Sequence, residues 1–143
     1  MDQKLKAIKD EFLLNLYEIS KLKMVSYIAT FIQGEDAFLL RLYLNKELTA
    51  KSLSEELKIT KGRVTALITS LKKKNYINTI INKKDKRSIL ISLSEEGKRY
   101  LEEKLIKSEK YFEEVFEKLG LEEANNLLKM MQNLLEIAKG VDV

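Results

Sequence analysis

Apolar positions along this 143-residue chain follow two rhythms. Over most of the length they recur every three or four residues, the period of an amphipathic helix. Over one short stretch they alternate, the period of a strand. The first segment, roughly Asp2 to Phe31, sets Leu5, Ile8, Phe12, Leu16, Ile19, Tyr27 and Phe31 at mostly helical spacing, and Gly34 ends it. Glu35 and Asp36 then open a second helix, where acids favour the positive end of the helix dipole. Its Ala37, Phe38, Leu39, Leu40, Leu42, Tyr43 and Leu44 are apolar nearly all round, which predicts burial at the centre of the fold.

A short helix follows, capped by Thr49, with Leu53 and Leu57 on one face and Glu55 and Glu56 outside. Thr60 is a side-chain cap for the next helix, which runs to about Asn75. Its inward positions are Val64, Leu67, Ile68 and Leu71; Lys61, Gly62, Arg63, Thr65, Ala66, Thr69 and Ser70 face outward. The period then changes. Ile77, Thr79 and Ile81 alternate, as do Ile89, Ile91 and Leu93, around the polar loop Lys83-Lys84-Asp85-Lys86-Arg87, which reads as a hairpin. Ser94, Glu95 and Glu96 open a long helix with the apolar seam Leu101, Leu105, Ser108, Phe112, Val115 and Leu119, heptad-like except at Ser108. Gly120 breaks it, and a last helix carries Ala124, Leu127, Leu128, Met131, Leu134, Leu135 and Ala138.

Composition sharpens this picture. Proline is absent and there are only five glycines, so breakers are few and a mostly helical chain is expected. No linker, internal repeat or low-complexity tract divides it, and its length suits one domain with a real core. There is no Cys and no His, which excludes disulfides, thiolate chemistry and His/Cys zinc sites, and removes the usual groups for neutral-pH general-base catalysis. Neither a cofactor nor a metal is expected, and the chain reads as a non-enzyme. The opening MDQKLKAIKDEF is charged and amphipathic, unlike a signal peptide, and no apolar run approaches a bilayer-spanning length. A cytoplasmic protein without membrane association is the expectation.

Charge is strongly segregated. Residues 58–87 hold ten cations (Lys58, Lys61, Arg63, Lys72, Lys73, Lys74, Lys83, Lys84, Lys86 and Arg87) and one acid, Asp85. That window carries +9 against −5 for the rest of the chain, giving the total of +4. Concentrated cations of this kind are usually presented to a polyanion. The order helix, short helix, tight turn, polar-faced helix and basic hairpin is that of a winged helix-turn-helix, whose second helix fits a major groove while the hairpin lies alongside. Lys72, Lys73 and Lys74 would suit phosphates and the negative end of the helix dipole.

The stretch LTAKSLSEELKITKGRVTALITSLKKKNYINTIINKKDKRSILISLSEEGKRYLEE, residues 48–103, resembles the MarR (multiple antibiotic resistance regulator) family. The most telling part is the wing, Asp85-Lys86-Arg87, followed by a strand and then Leu93-Ser94-Glu95-Glu96-Gly97, which looks like the family's entry to its long dimer helix. The resemblance implies that Asp85 pairs with Arg87, that Lys83, Lys84 and Lys86 face DNA, and that the protein is a homodimer. It also implies a repressor released by a small apolar or phenolic effector. Many members carry an Arg where this chain has Ala66; Arg63, one turn earlier, is a substitute for it.

The expected fold is therefore mainly α with a small β-hairpin wing. A winged helix-turn-helix lobe would occupy residues 34–97, and residues 1–33 and 98–143 would form a helical dimerisation region. The candidate DNA-binding residues are Thr60, Lys61, Gly62, Arg63, Thr65, Ala66, Thr69, Lys72, Lys73, Lys83, Lys84, Asp85, Lys86 and Arg87. The expected function is sequence-specific binding of double-stranded DNA, as a homodimer on a pseudo-palindromic operator. The rival reading is an interaction module whose basic face meets an acidic protein. Some residues keep two readings. Gly62 is either tolerated in a first turn or lets backbone approach a phosphate. Asp85 either orients a cation or relieves repulsion among four. Core packing is the favoured explanation for Tyr17, Tyr27, Phe31, Phe38, Tyr43 and Tyr100, over a ligand pocket.

Overall fold

The computed structural model describes all of residues 1–143. The order is α1 (Gln3–Ile19), α2 (Met24–Ile32), α3 (Glu35–Asn45), β1 (Glu47–Thr49), α4 (Ala50–Leu57), α5 (Lys61–Lys73), β2 (Ile77–Ile81), β3 (Ile89–Leu93), α6 (Glu95–Leu119) and α7 (Leu121–Lys139). Two compact units result, Met1–Leu105 and Ile106–Val143. No helix is long and apolar enough to cross a membrane.

In the first unit α3 is the central element. Ala37, Phe38, Leu39 and Leu42 are almost wholly buried, joined in one core by Leu53 of α4, Val64 and Leu71 of α5, Ile91 of β3 and Leu101 of α6. The three-stranded antiparallel sheet has the order β1-β3-β2, with Ile77 opposite Leu93 and Leu48 opposite Ile91. Each helix start expected from a hydroxyl is made. Thr49 accepts from Ser52 N, Thr60 from Arg63 N, and Ser94 Oγ from Gly97 N. The second unit is the remainder of α6 and α7, joined at Gly120, whose φ of +83° suits glycine.

Several expectations are corrected. The single first helix is two, interrupted at Ser20–Lys23. There Ser20 Oγ donates to the Tyr17 carbonyl, and Lys21 N and Leu22 N bond back three residues instead of four. A serine hydroxyl competing for backbone acceptors favours such a break. Strand β1 was not anticipated, because its three residues are too short to show alternation. Tyr43 and Leu44 of α3 are exposed, at 39% and 70%, so that helix is not buried all round. Among the aromatics, Tyr27 and Phe38 are core and Tyr100 is half-buried, but Tyr17 and Phe31 join Tyr43 in being exposed.

The first unit is held tightest where α5, the hairpin and α6 converge. Ser94 N donates to the Tyr76 carbonyl at 3.0 Å, and Ser94 Oγ donates to the Asn75 carbonyl at 2.5 Å. Gly97 lies flat against the same peptide: a Cβ there would stand 2.0 Å from Tyr76 O. The Tyr76 ring stacks on Tyr100 with centroids 4.6 Å apart. Replacing Gly97 by Ala is expected to lower stability by about 2–3 kcal/mol, since overpacking forces backbone to move. Urea unfolding would read this as a lower midpoint with an unchanged slope; a midpoint equal to wild type would show that the contact is not needed.

Candidate nucleic-acid interface

The interface is built from a turn, a helix and a loop. The turn between α4 and α5 closes by two bonds, Ile59 N to the Ser54 carbonyl (3.1 Å) and Lys58 N to the Glu55 carbonyl (3.4 Å), with Lys58 in the left-handed region. This is the double-bonded helix end that glycine usually occupies. Ser54 Oγ adds a third bond to the Ile59 carbonyl at 2.6 Å, and Ile59 packs on the core. The turn therefore holds the start of α5 rigidly against α4.

Helix α5 buries Val64, Leu67 and Leu71 and leaves Lys61, Gly62, Arg63, Thr65, Ala66, Thr69, Lys72 and Lys73 exposed. Along the exposed side Thr65 Oγ1 donates to the Lys61 carbonyl and Thr69 Oγ1 to the Thr65 carbonyl, both at 3.0 Å. Their hydroxyl protons are thus engaged, and lone pairs are what these threonines offer outward. With Gly62 and Ala66 beside them, this face is shallow enough for close approach to base edges. Arg63 borders a concavity of about 330 Å³ shared with Ala29, Gln33, Gly34, Leu57, Ile59 and Leu67.

The wing loop is ordered by its own backbone. Asn82 N donates to the Ser88 carbonyl, Lys84 N to Asn82 Oδ1, Arg87 N to Asp85 Oδ1 and Ser88 N to the Asp85 carbonyl, at 3.0–3.1 Å. Asp85 thus fixes Arg87 through its main chain and makes no salt bridge with the guanidinium. That corrects the pairing implied by the resemblance: the acid shapes the loop and leaves the Arg87 charge outward. Lys83, Lys84, Asp85, Lys86 and Arg87 are all exposed.

Two further residues depart from expectation. Ser70 is turned inward, donating to Glu35 Oε1 at 2.5 Å, and Lys74 is bound to Glu35 Oε2 at 2.6 Å. The sequence position of Glu35 suits a helix-dipole acid, and nothing in it signals a partner 39 residues away. Its neighbour Asp36 accepts from Tyr100 OH at 2.9 Å and pairs with Lys104 at 3.0 Å. Burial first, then that hydrogen bond and the Asp36 charge, push the Tyr100 phenol above its ordinary value, so it remains a donor. Adjacent acids at the start of α3 thus hold α5 with one side chain and α6 with the other.

All fourteen candidate residues lie exposed in the first unit, in Thr60–Lys73 and the loop 83–87. A family model for the winged helix DNA-binding domain matches residues 37–111, just over half the chain. The HTH-type transcriptional repressor YetL of Bacillus subtilis is 30% identical over 133 residues, covering 88% of this chain and 80% of YetL. A MarR family protein from Bacillus stearothermophilus has the same fold, with a TM-score of 0.73 at 18% identity over 97% of this chain and 99% of that one. The chain belongs to the winged helix family of HTH-type transcriptional regulators. Another relative, the HTH-type transcriptional regulator SarZ of Staphylococcus epidermidis, is 32% identical over 91 residues, 64% of this chain and 60% of SarZ. A variant of MarR from E. coli, solved in complex with operator DNA, superposes with a TM-score of 0.68 at 19% identity, covering 94% of this chain and 99% of that one.

The Glu35–Lys74 pair gives this winged-helix regulator a pH signature. The Lys74 and Ser70 hydrogen bonds hold the Glu35 carboxyl below its ordinary value of 4.5, and Glu35 raises Lys74 above 10.5. The unfolded chain therefore protonates Glu35 at higher pH than the native chain does. The stabilisation is complete at neutral pH and is lost as pH falls from 4.5 through the native value. Glu35→Gln is expected to be less stable than wild type near neutral pH, with the gap closing as pH falls below 4.5 through the native value. Thermal melts of both proteins across that range check this; a gap that persists in acid would mean the carboxylate is not the stabilising form.

Proposed function

We propose that this protein is a sequence-specific repressor that binds double-stranded DNA as a homodimer on a pseudo-palindromic operator. One observation carries the reading. The cations Lys61, Arg63, Lys72, Lys73, Lys83, Lys84, Lys86 and Arg87 are all exposed, and none joins a salt bridge, on a helix and loop locked by backbone hydrogen bonds. Charges left unpaired on a rigid support are ready for phosphates. Arg63, Thr65, Ala66 and Thr69 would lie toward base edges, with Thr60, Lys61 and Gly62 at the entry. Lys72 and Lys73 would meet backbone, and the wing loop of Lys83, Lys84, Asp85, Lys86 and Arg87 the adjacent groove. The name of YetL supports repression, and the operator complex of the E. coli variant supports the target.

Apolar side chains at both ends support pairing. Leu5, Ile8, Phe12 and Leu16 of α1 are each 45% exposed or more, as are Leu127, Leu128, Met131, Leu134 and Leu135 of α7. A two-fold pair would cover such surface and set two recognition helices roughly 34–36 Å apart, one duplex turn. Residues 1–33 and 98–143 are the proposed dimerisation region, and 34–97 the reading lobe. Relief by a small apolar or phenolic ligand belongs to the proposal through the family resemblance, and DNA as partner places the protein in the cytoplasm.

Selection of bound DNA from a random duplex pool tests this reading. A recovered inverted repeat is expected, with affinity falling on the order of a thousandfold between about 50 and 200 mM salt. No enrichment would favour the acidic-protein partner instead. On the recovered site, Arg63→Ala is expected to cost about 1–3 kcal/mol and to relax sequence preference. Joint replacement of Lys83 and Lys84 by Ala should weaken all duplexes alike and flatten the salt slope by roughly 3–4, as two lost phosphate contacts in each protomer of the pair require. Gel-shift titrations over a salt series read both; unchanged slopes would remove the wing from the DNA.

A further inference from the structure

We propose that Glu35 limits sequence-independent DNA binding by withdrawing Lys74 from the phosphate-binding set. This rests on the DNA-binding reading above and adds to it a control on how many phosphates one protomer engages.

Three consecutive lysines end the recognition helix region, and they are not equivalent. Lys72 and Lys73 have no ion-pair partner, whereas Lys74 Nζ sits 2.6 Å from Glu35 Oε2. The other oxygen, Oε1, accepts from Ser70 Oγ at 2.5 Å. Ser70 and Lys74 are one helical turn apart, so a single carboxylate holds both ends of the last turn of α5. The anchor is itself fixed, since Glu35 leads directly into the buried run Ala37–Leu40 of α3. The Glu35 side chain is 30% exposed and that of Lys74 50%. A carboxylate tied by two hydrogen bonds to a fixed helix outcompetes a mobile phosphate for the same ammonium, because moving Lys74 would leave Glu35 half-satisfied. Two lysines of the run thus remain for the backbone, and the third is retained within the protein.

Each phosphate neutralised on duplex DNA contributes about −0.9 to the slope of log affinity against log salt. Four proteins separate the possibilities: wild type, Glu35→Gln, Lys74→Met and the double variant, each titrated over a salt series with the selected duplex and a scrambled one. Melting curves confirm folding. Lys74→Met alone is expected to keep the wild-type slope, whereas Lys72→Met should flatten it by about two contacts per dimer, one from each protomer. Glu35→Gln frees Lys74 while keeping an acceptor for Ser70. It is expected to steepen the slope by about two contacts per dimer, one from each protomer, and to raise affinity for scrambled duplex several-fold at low salt. The double variant should return to the wild-type slope. Lys74→Met flattening the slope as Lys72→Met does would overturn the proposal, as would a Glu35→Gln slope equal to wild type. Wild type failing to bind any duplex would instead overturn the DNA-binding reading itself.

Discussion

The peptide between Tyr76 and Ile77 is the point on which the first unit depends. The carbonyl of Tyr76 receives Ser94 N and lies against Gly97, so α6 starts in direct contact with the backbone that ends α5 and begins β2. A Cβ at position 97 would stand 2.0 Å from the Tyr76 oxygen, a clash that packed interiors do not absorb. The end of α5, the start of β2 and the start of α6 therefore share this one peptide. The Tyr76–Tyr100 stack and the Tyr100–Asp36 hydrogen bond carry the same coupling through side chains into α3.

What the sequence makes legible here is what local chemistry decides. Thr49, Thr60 and Ser94 announce helix starts because a hydroxyl within three residues of an orphan N–H has an obvious use. Val64, Leu67 and Leu71 announce the buried face of α5 because the period is unbroken. The pairing of Glu35 with Ser70 and Lys74 is not legible, since it depends on how two helices cross, and neither spacing nor composition records that. Ser70 looked outward for the same reason: at the edge of an apolar stripe, tertiary packing decides which way a small polar side chain turns. Strand β1 shows the limit of pattern, because three residues gain their strand character only from the β3 edge beside them.

Charge segregation is legible as a total but not as a distribution. The structure sorts the basic segment into cations that are held and cations that are offered. Asp85 shapes the wing through the Arg87 main chain, so the lone acid in the segment serves backbone geometry and forms no salt bridge with its neighbours. Glu35, from outside the segment, does neutralise one. The two acids thus act differently, one holding loop backbone and one holding a lysine side chain.

Lys58 has a different consequence. It occupies a left-handed backbone position, φ 53° and ψ 48°, in the turn that sets the angle between α4 and α5. Glycine would rest there without the steric penalty that a Cβ brings, which is about 1–2 kcal/mol for an ordinary residue. The chain instead keeps a long ammonium-bearing side chain at the corner of its helix pair. Selection for thermal endurance and selection for positive potential thus pull on one residue in contrary directions, and a more heat-resistant version of this turn would be a less cationic one.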